Sequence, residues 1–382
     1  MAKLFRVTTV PISVEKLLGK QLTFMNQFFD VTAISADQDY LERVGKELGV
    51  KTHSIEMTRK ITPFQDLRSL WEMYAYFKKE KPEIVHSHTP KAGLIGMLAA
   101  KLAGVNIRLH TVAGLPLMES TGNKRKVLNF VEKLTYSCAT KVYPNSQGLY
   151  DFILTEKLGK ADKIEVIGNG SSNGIDVNNF DPNLFSQESN HHLKKQLNIS
   201  QDDFVFVFVG RLVKDKGINE LIGAFKNVQL SSSKTLKLLL VGPLEQDLDP
   251  LSQEILDEIQ NNPDIISVGF QKDVRPYFAI SNCLAFPSYR EGFPNVVLQA
   301  LAMGIPALVS DINGCNEIVQ NNHNGLIFPS KDQASLQTCM QKILNPSLYN
   351  EIQSVSRTSI MMYRQEVLWE LLKKNYDSLL MS

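Results

Sequence analysis

The sequence predicts an α/β fold made of two doubly wound parallel sheets in tandem. Short apolar runs alternate with longer amphipathic stretches, which is the pattern of β-α-β units. That alternation fills the first half of the chain and starts again in the second. The 382 residues, 43% apolar and 21% charged, are enough for two cores. Collagen-like, disordered and disulfide-scaffold classes are excluded by the same composition.

In the first half Phe5–Val10, Val31–Ser35, Ile84–His86, Ile107–Thr111, Lys141–Pro144 and Ile164–Ile167 are expected as strands. Helical stretches such as Phe64–Lys79 and Gly93–Leu102 separate them. The second half is expected to repeat the plan with strands at Phe204–Val209, Leu236–Val241, Ile265–Val268, Cys283–Phe286 and Ala307–Ser310. Asn, Asp, Pro, Ser and Gln crowd Asn178–Asn190, which marks the join. A short helix is expected at His191–Leu197 and a long one over Ser356–Leu380. The expected domains are residues 1–180 and 181–361, with a C-terminal helix over 362–382 packing back on the first. Two such sheets would face one another across a cleft lined by strand carboxyl ends, where open α/β sheets bind ligands.

The formal charge of +1, from 41 basic and 40 acidic residues, argues against a general nucleic-acid binder. Residues 1–180 hold 24 basic and 18 acidic side chains, net +6, and residues 181–382 hold 17 and 22, net −5. The halves are thus suited to different surroundings. Four dispersed cysteines, Cys138, Cys283, Cys315 and Cys339, encode neither a zinc knuckle nor a redox pair, and read as buried hydrophobes in a reducing cytoplasm. No apolar run approaches the ~18 residues of a membrane-spanning helix, so any membrane contact is expected to be peripheral.

Chemistry is expected in the loops after strands. Gly210-Arg-Leu-Val-Lys-Asp-Lys-Gly217 follows Phe204–Val209, and its glycine permits a sharp turn that presents Arg211 and Lys216 as permanent cations. Two cations suit a diphosphate, whose departure requires charge neutralisation, although a solvated basic turn has the same composition. Neither a P-loop nor a dinucleotide fingerprint is present. After Cys283–Phe286, Glu291 and Gly292 precede a helix from Val296. Glu291 can accept hydrogen bonds from sugar hydroxyls or serve only the helix dipole, and the free amides at the helix start can hold an anion.

Taken in order, Gly210–Gly217, Glu291-Gly-Phe-Pro-Asn-Val-Val-Leu-Gln-Ala-Leu-Ala-Met-Gly-Ile-Pro306 and Asn324-Gly-Leu-Ile-Phe328 resemble the donor half of glycosyltransferase family 4. Ile84-Val-His-Ser-His-Thr-Pro-Lys-Ala-Gly93, Pro144-Asn-Ser146 and Gly168-Asn-Gly-Ser-Ser-Asn-Gly-Ile-Asp176 are similar to its bacterial members that build capsule, O-antigen and other lipid-linked glycans. The resemblance implies the GT-B fold and a retaining glycosyltransferase. Such an enzyme would move a hexosyl or N-acetylhexosaminyl group from a nucleotide-diphospho-sugar, with UDP the expected nucleotide, to a lipid-linked or oligosaccharide acceptor, a polyprenyl-diphosphate-linked one being expected, without cofactor or metal.

It also implies site residues. Arg211 and Lys216 match the diphosphate clamp, and Glu291 matches the first glutamate of an E-x7-E motif that holds the donor sugar. Gly210, Gly292, Phe293, Pro294 and Asn295 complete the donor loops. Gln299 stands where the second glutamate, a ribose ligand, is usual, and its amide accepts without charge assistance. Ala113 stands where many members place a histidine, while His110, three residues earlier, either serves catalysis from a shifted position or is structural. Gly19, Lys20, His88 and Lys91 are the expected acceptor or phosphate ligands, with Gly19 offering an amide. His86 is expected to be a satisfied core residue; it shares a face with His88 if the strand continues, and not if a turn begins at Ser87. The pair lacks a third metal ligand.

Leu115–Met118 followed by Lys124-Arg-Lys126 is an apolar and then basic segment that can dip into an anionic membrane, and the basic surplus of residues 1–180 fits the same surface. The expected location is cytoplasmic, peripheral on the inner face of the plasma membrane. Competing readings are a GT-B nucleotide-sugar epimerase and a non-catalytic binding or scaffold subunit.

Overall fold

The computed structural model describes residues 1–58, 60, 62–245 and 249–381. The chain divides into two units, Met1–Gly174 together with Gln365–Ser382, and Ile175–Arg364.

The first unit contains one parallel sheet of β1 (Lys3–Val7), β2 (Asp30–Ser35), β3 (Lys51–Ser54), β4 (Ile84–Ser87), β5 (Ile107–Val112) and β6 (Lys141–Pro144). The order is β3-β2-β1-β4-β5-β6, with Leu4 opposite Val31 on one side and Ile84 on the other. Between the strands run α1 (Pro11–Ser13), α2 (Lys20–Met25), α3 (Gln38–Leu48), α4 (Pro63–Glu80), α5 (Pro90–Ala103) and α6 (Gly122–Cys138), and α7 (Gln147–Thr155) follows β6. Successive side chains of a strand face opposite ways. Leu4 therefore joins a core with Leu18, Leu22 and Leu41 under α2 and α3. Phe5 joins the other core, with Met73, Phe77 and Ile95 under α4 and α5. Strands covered on both faces read as apolar runs, which is why the central ones were legible.

The second unit repeats the plan with β7 (Phe204–Val209), β8 (Leu236–Val241), β9 (Ile265–Ser267), β10 (Cys283–Phe286), β11 (Ala307–Ser310) and β12 (Gly325–Phe328). Their order is β12-β11-β10-β7-β8-β9, all parallel. Its helices are α8 (Gln187–Gln196), α9 (Ile218–Ser231), α10 (Gln253–Asn261), α11 (Arg275–Ala279), α12 (Asn295–Ala302), α13 (Cys315–Ile318), α14 (Gln333–Ile343) and α15 (Pro346–Ser359). Phe206, Phe208, Phe225 and Leu298 lie in one continuous core. In both sheets strand order reverses at the centre, between β1 and β4 and between β7 and β10, and such reversal points open a crevice at the strand carboxyl ends.

Four elements differ from expectation, one of them being β12, a four-residue edge strand that was not foreseen. Ile164–Ile167 is not a strand, since only Ile164 forms a bridge, to Val142. Beyond it the chain turns through Gly168, Gly170, Ser171 and Gly174, all at positive φ. The strand β3 was missed because Lys51-Thr-His-Ser54 is a half-exposed edge with no apolar run. The long C-terminal helix is two helices, α15 and α16 (Gln365–Met381), separated by a tight turn over Met361–Tyr363. The last helix packs within the first unit. Tyr376 is wholly buried there, and the Trp369 ring lies 5.5 Å from that of Phe24.

Candidate active site

The loops after β7 and β10 leave adjacent strands at the reversal point of the second sheet. Gly210 donates its amide to Val241 (2.9 Å), and buried Leu212 and Val213 pin the loop below its charged residues. Lys214–Lys216 form a tight turn closed by Gly217 at φ +70°, which begins α9. A side chain at Gly217 would run into the Pro287 carbonyl of the neighbouring loop. Further bonds join the two loops. The Tyr289 amide donates to the Asp215 carbonyl (2.9 Å), and Arg290 pairs with the Asp215 carboxylate (3.1 Å).

These close approaches bring Lys216 Nζ to 2.5 Å from Glu291 Oε1, with both side chains largely buried. The Ser288 hydroxyl donates to the same oxygen (2.9 Å). Asn313 Nδ2 donates to the carbonyls of Glu291 (2.7 Å) and Gly292 (3.2 Å), which fixes the backbone before α12. The Phe293 ring is buried 5.4 Å from Tyr363, Pro294 caps α12, exposed Asn295 opens it, and half-buried Gln299 lies one turn on. Arg211 does not join this pair: its guanidinium bonds Glu245 (2.9 Å) near the surface. An ammonium has three N–H donors, so Glu291 leaves donors of Lys216 for other oxygens. The first amides of α9 and α12 add partial positive charge beside them.

In the first unit the expected acceptor residues have other partners. His86 and His88 share a face, with ring centroids 4.2 Å apart, because the strand continues through Ser87. His86 is satisfied at both nitrogens, by Tyr376 Oη (2.6 Å) and Thr111 Oγ1 (2.8 Å), as a core residue should be. His88 is buried, and its Nε2 accepts from Arg6 Nε (2.9 Å). Burial first, then the neighbouring His86 and Arg6, hold His88 well below the usual imidazole range, so it is neutral. A cavity of about 20 Å³ beside it is lined by Gln21, Thr111, Ser171 and Ser172 among others.

His110 is a largely buried packing residue. Its ring is buried against Gly93, where a Cβ would collide with it, and Nδ1 bonds Ser87 Oγ (2.9 Å). Burial lowers its pKa to about 4. Lys91 is a tether: its ammonium bonds Asp66 (2.6 Å), Thr62 (3.2 Å) and the Lys60 carbonyl, joining the starts of α4 and α5. The Gly19 amide is spent on the Val14 carbonyl (2.8 Å), and Lys20 is exposed at the start of α2. Leu115 and Leu117 are buried, so Leu115–Met118 cannot dip into a membrane. Among the described residues no helix is long and apolar enough to cross a membrane, and no three His, Cys, Asp or Glu side chains group as metal ligands.

A family model described as glycosyl transferases group 1 matches residues 189–356, and one described as a glycosyl transferase 4-like domain matches residues 23–170. The capsular polysaccharide biosynthesis glycosyltransferase CapM of Staphylococcus aureus is 36% identical over 99% of this chain and 97% of its own. The chain belongs to glycosyltransferase family 4. A second relative of this glycosyltransferase is the UDP-Gal:alpha-D-GlcNAc-diphosphoundecaprenol alpha-1,3-galactosyltransferase of Escherichia coli, 28% identical over 88% of this chain and 85% of its own. Among solved structures, Anabaena HepE in complex with UDP and glucose superposes with a TM-score of 0.81 at 17% identity, over 99% of this chain and 100% of its own. That likeness supports the GT-B fold.

Several residues around the glycosyltransferase's loops were missed in the sequence. Arg6 is wholly buried in β1, and its Nη2 donates to Gln21 Oε1 (2.5 Å). Gln21 in turn donates to Asn173 (3.1 Å), which accepts from Trp369 Nε1 (2.7 Å). One signal was available: an arginine inside the apolar run Leu4-Phe-Arg-Val7 needs a built environment. Nothing local pointed to Asn313 as the residue fixing the Glu291 backbone.

Proposed function

We propose that this glycosyltransferase transfers a sugar, with retention of configuration, from a UDP-sugar to a polyprenyl-diphosphate-linked acceptor in bacterial surface polysaccharide synthesis. The observation that carries the reading is the Lys216–Glu291 pair, which bridges two loops at the reversal point of the second sheet. In this reading Glu291 receives donor-sugar hydroxyls, and the free donors of Lys216 meet the diphosphate. Arg211, released from its half-buried partner Glu245, adds a second cation to the leaving group. Neutralising charge that develops on a departing diphosphate is the largest electrostatic contribution expected here. Gly210, Gly292, Phe293, Pro294 and Asn295 shape the donor loops, and Gln299 accepts from the ribose. No resident metal or cofactor is required, because the protein's own cations do this work. The acceptor binds at the first unit, beside the β1 and β4 loops.

The relatives support this reading in kind: one is named for capsule synthesis and another for a diphosphoundecaprenol-linked acceptor. The reading places the enzyme in the cytoplasm, peripheral on the inner membrane face. Its test is thermal shift against a panel of nucleotide sugars, followed by transfer from the stabilising donor to lipid-linked acceptors. A UDP-sugar should raise Tm and be consumed only when acceptor is present. Consumption with isomerisation and no acceptor would mark an epimerase, and binding without transfer to any lipid-linked acceptor would mark a scaffold.

A further inference from the structure

We propose that the outward faces of α4 and α6 form a docking surface for an anionic lipid bilayer, resting on the reading above for its purpose but not for its chemistry. On α4, Phe64 is 93% exposed, Leu67 53% and Trp71 60%. Their spacing of three and four residues makes one outward apolar stripe. On α6, Val127 (52% exposed) and Phe130 (67% exposed) form a second. Aromatic side chains left in water at that density mark an interaction site.

The surrounding charge selects the occupant. Lys124, Lys126 and Lys133 are exposed on α6, and Lys60 is exposed just before α4. The acid within α6, Glu132, is buried, so that helix shows only cations to solvent among the described residues. Exposed Arg68 on α4 is balanced by Glu72 at 2.8 Å. Apolar and aromatic side chains flanked by lysines are how an interfacial helix meets anionic headgroups. A second copy of the chain is disfavoured, because a two-fold contact would set these lysines against themselves.

Both helices cover one face of the sheet, on either side of α5, and both start at the carboxyl ends of its strands. The Lys91–Asp66 ion pair ties the start of α4 to the loop after β4. A bilayer held by Phe64, Trp71 and Phe130 would therefore lie beside the loops proposed to receive a lipid-linked acceptor. This surface replaces the buried Leu115–Met118 segment as the point of membrane contact.

The test uses the full chain and vesicles of phosphatidylcholine with or without phosphatidylglycerol. The chain has two tryptophans, and Trp369 is buried whereas Trp71 is exposed. Vesicles with phosphatidylglycerol should shift the emission to the blue, and Trp71→Phe should remove the shift while binding persists. Phe64→Ser with Trp71→Ser should weaken sedimentation with vesicles roughly tenfold or more. Lys124→Glu with Lys126→Glu should abolish the preference for phosphatidylglycerol. All variants should retain transfer to acceptor dispersed in detergent. Absence of vesicle binding by the parent protein, or binding indifferent to the serine substitutions, overturns the proposal. Vesicle-free self-association lost in the same variants would reassign the surface to a second copy. Vesicle binding as expected with no transfer would leave this surface standing and remove the acceptor reading.

Discussion

Lys216 Nζ lies 2.5 Å from Glu291 Oε1, across seventy-five positions of sequence, and each residue sits on its own strand-end loop. Both side chains are largely withdrawn from water, so truncating either leaves a poorly solvated opposite charge. Lys216→Met is expected to lower kcat about 10²-fold to 10³-fold, the usual cost of losing a cation that stabilises developing charge. Glu291→Gln should act mainly through KM for the donor sugar. The two effects should be strongly non-additive in the double variant, because the residues are partners. Steady-state kinetics on the four proteins measures the coupling, and simple additivity would mean that the pair does not act as a unit.

Gly217 positions this pair by having no side chain. Its φ of +70° costs an L-residue ~1–2 kcal/mol, and a Cβ there would meet the Pro287 carbonyl. Gly217→Ala should destabilise the protein by at least about 2 kcal/mol and push the two loops apart. Gly49 is the control, since it has similar φ (+67°) with nothing near its Cβ position. Gly49→Ala should cost only the backbone share. Denaturant unfolding of both variants separates conformational strain from the collision.

How much of this was legible follows the range over which each residue acts. Buried parallel strands announce themselves as apolar runs, so β7, β8 and β10 were found at their observed bounds. The donor loops were legible because a glycine, two cations and a carboxylate-glycine step follow those strands within a few residues. The contact between Lys216 and Glu291 was not, because it depends on β7 and β10 being neighbours, which strand order alone decides. His110 and Lys91 illustrate the opposite failure. Both residue types suit catalysis or phosphate binding, and only burial against Gly93 and pairing with Asp66 reveal structural duties.

The Arg6–His88 contact fixes a tautomer. A guanidinium can only donate, so His88 Nε2 must accept at 2.9 Å, and burial keeps the ring neutral. The ring proton therefore resides on Nδ1. Nitrogen-15 histidine NMR should show His88 as the neutral Nδ1–H form at pH 7. Arg6→Met removes the donor along with a buried cation that has no carboxylate partner among the described hydrogen bonds, so Tm should change little. In that variant His88 should shift toward the Nε2–H form. An unchanged tautomer would mean that Gln21 and the surrounding cavity, not Arg6, set the ring.

Glu132 gives the pH dependence a component of unusual sign. It is buried on α6, and desolvation raises its pKa from 4.5 to about 7. Between those values the folded state holds a proton that the unfolded chain has released, so stability falls as pH rises through the window. The loss is on the order of 3 kcal/mol at most and is complete above pH 7. His110 works in reverse. Its pKa is lowered from 6.5 to about 4, so the unfolded chain binds the extra proton and stability rises with pH across that range. His86 and His88 are lowered by burial too and push the same way. Wild-type stability should therefore climb from pH 4 as the histidine contributions accumulate against the Glu132 loss. Above about pH 6.5 only the remaining Glu132 loss acts. Glu132→Gln is neutral throughout, so its stability advantage over wild type should be absent below pH 4.5, grow to pH 7 and then stay level. Denaturant unfolding of both proteins at pH 5, 6, 7 and 8 measures that difference. A constant difference would show that Glu132 ionises at its ordinary value despite its burial.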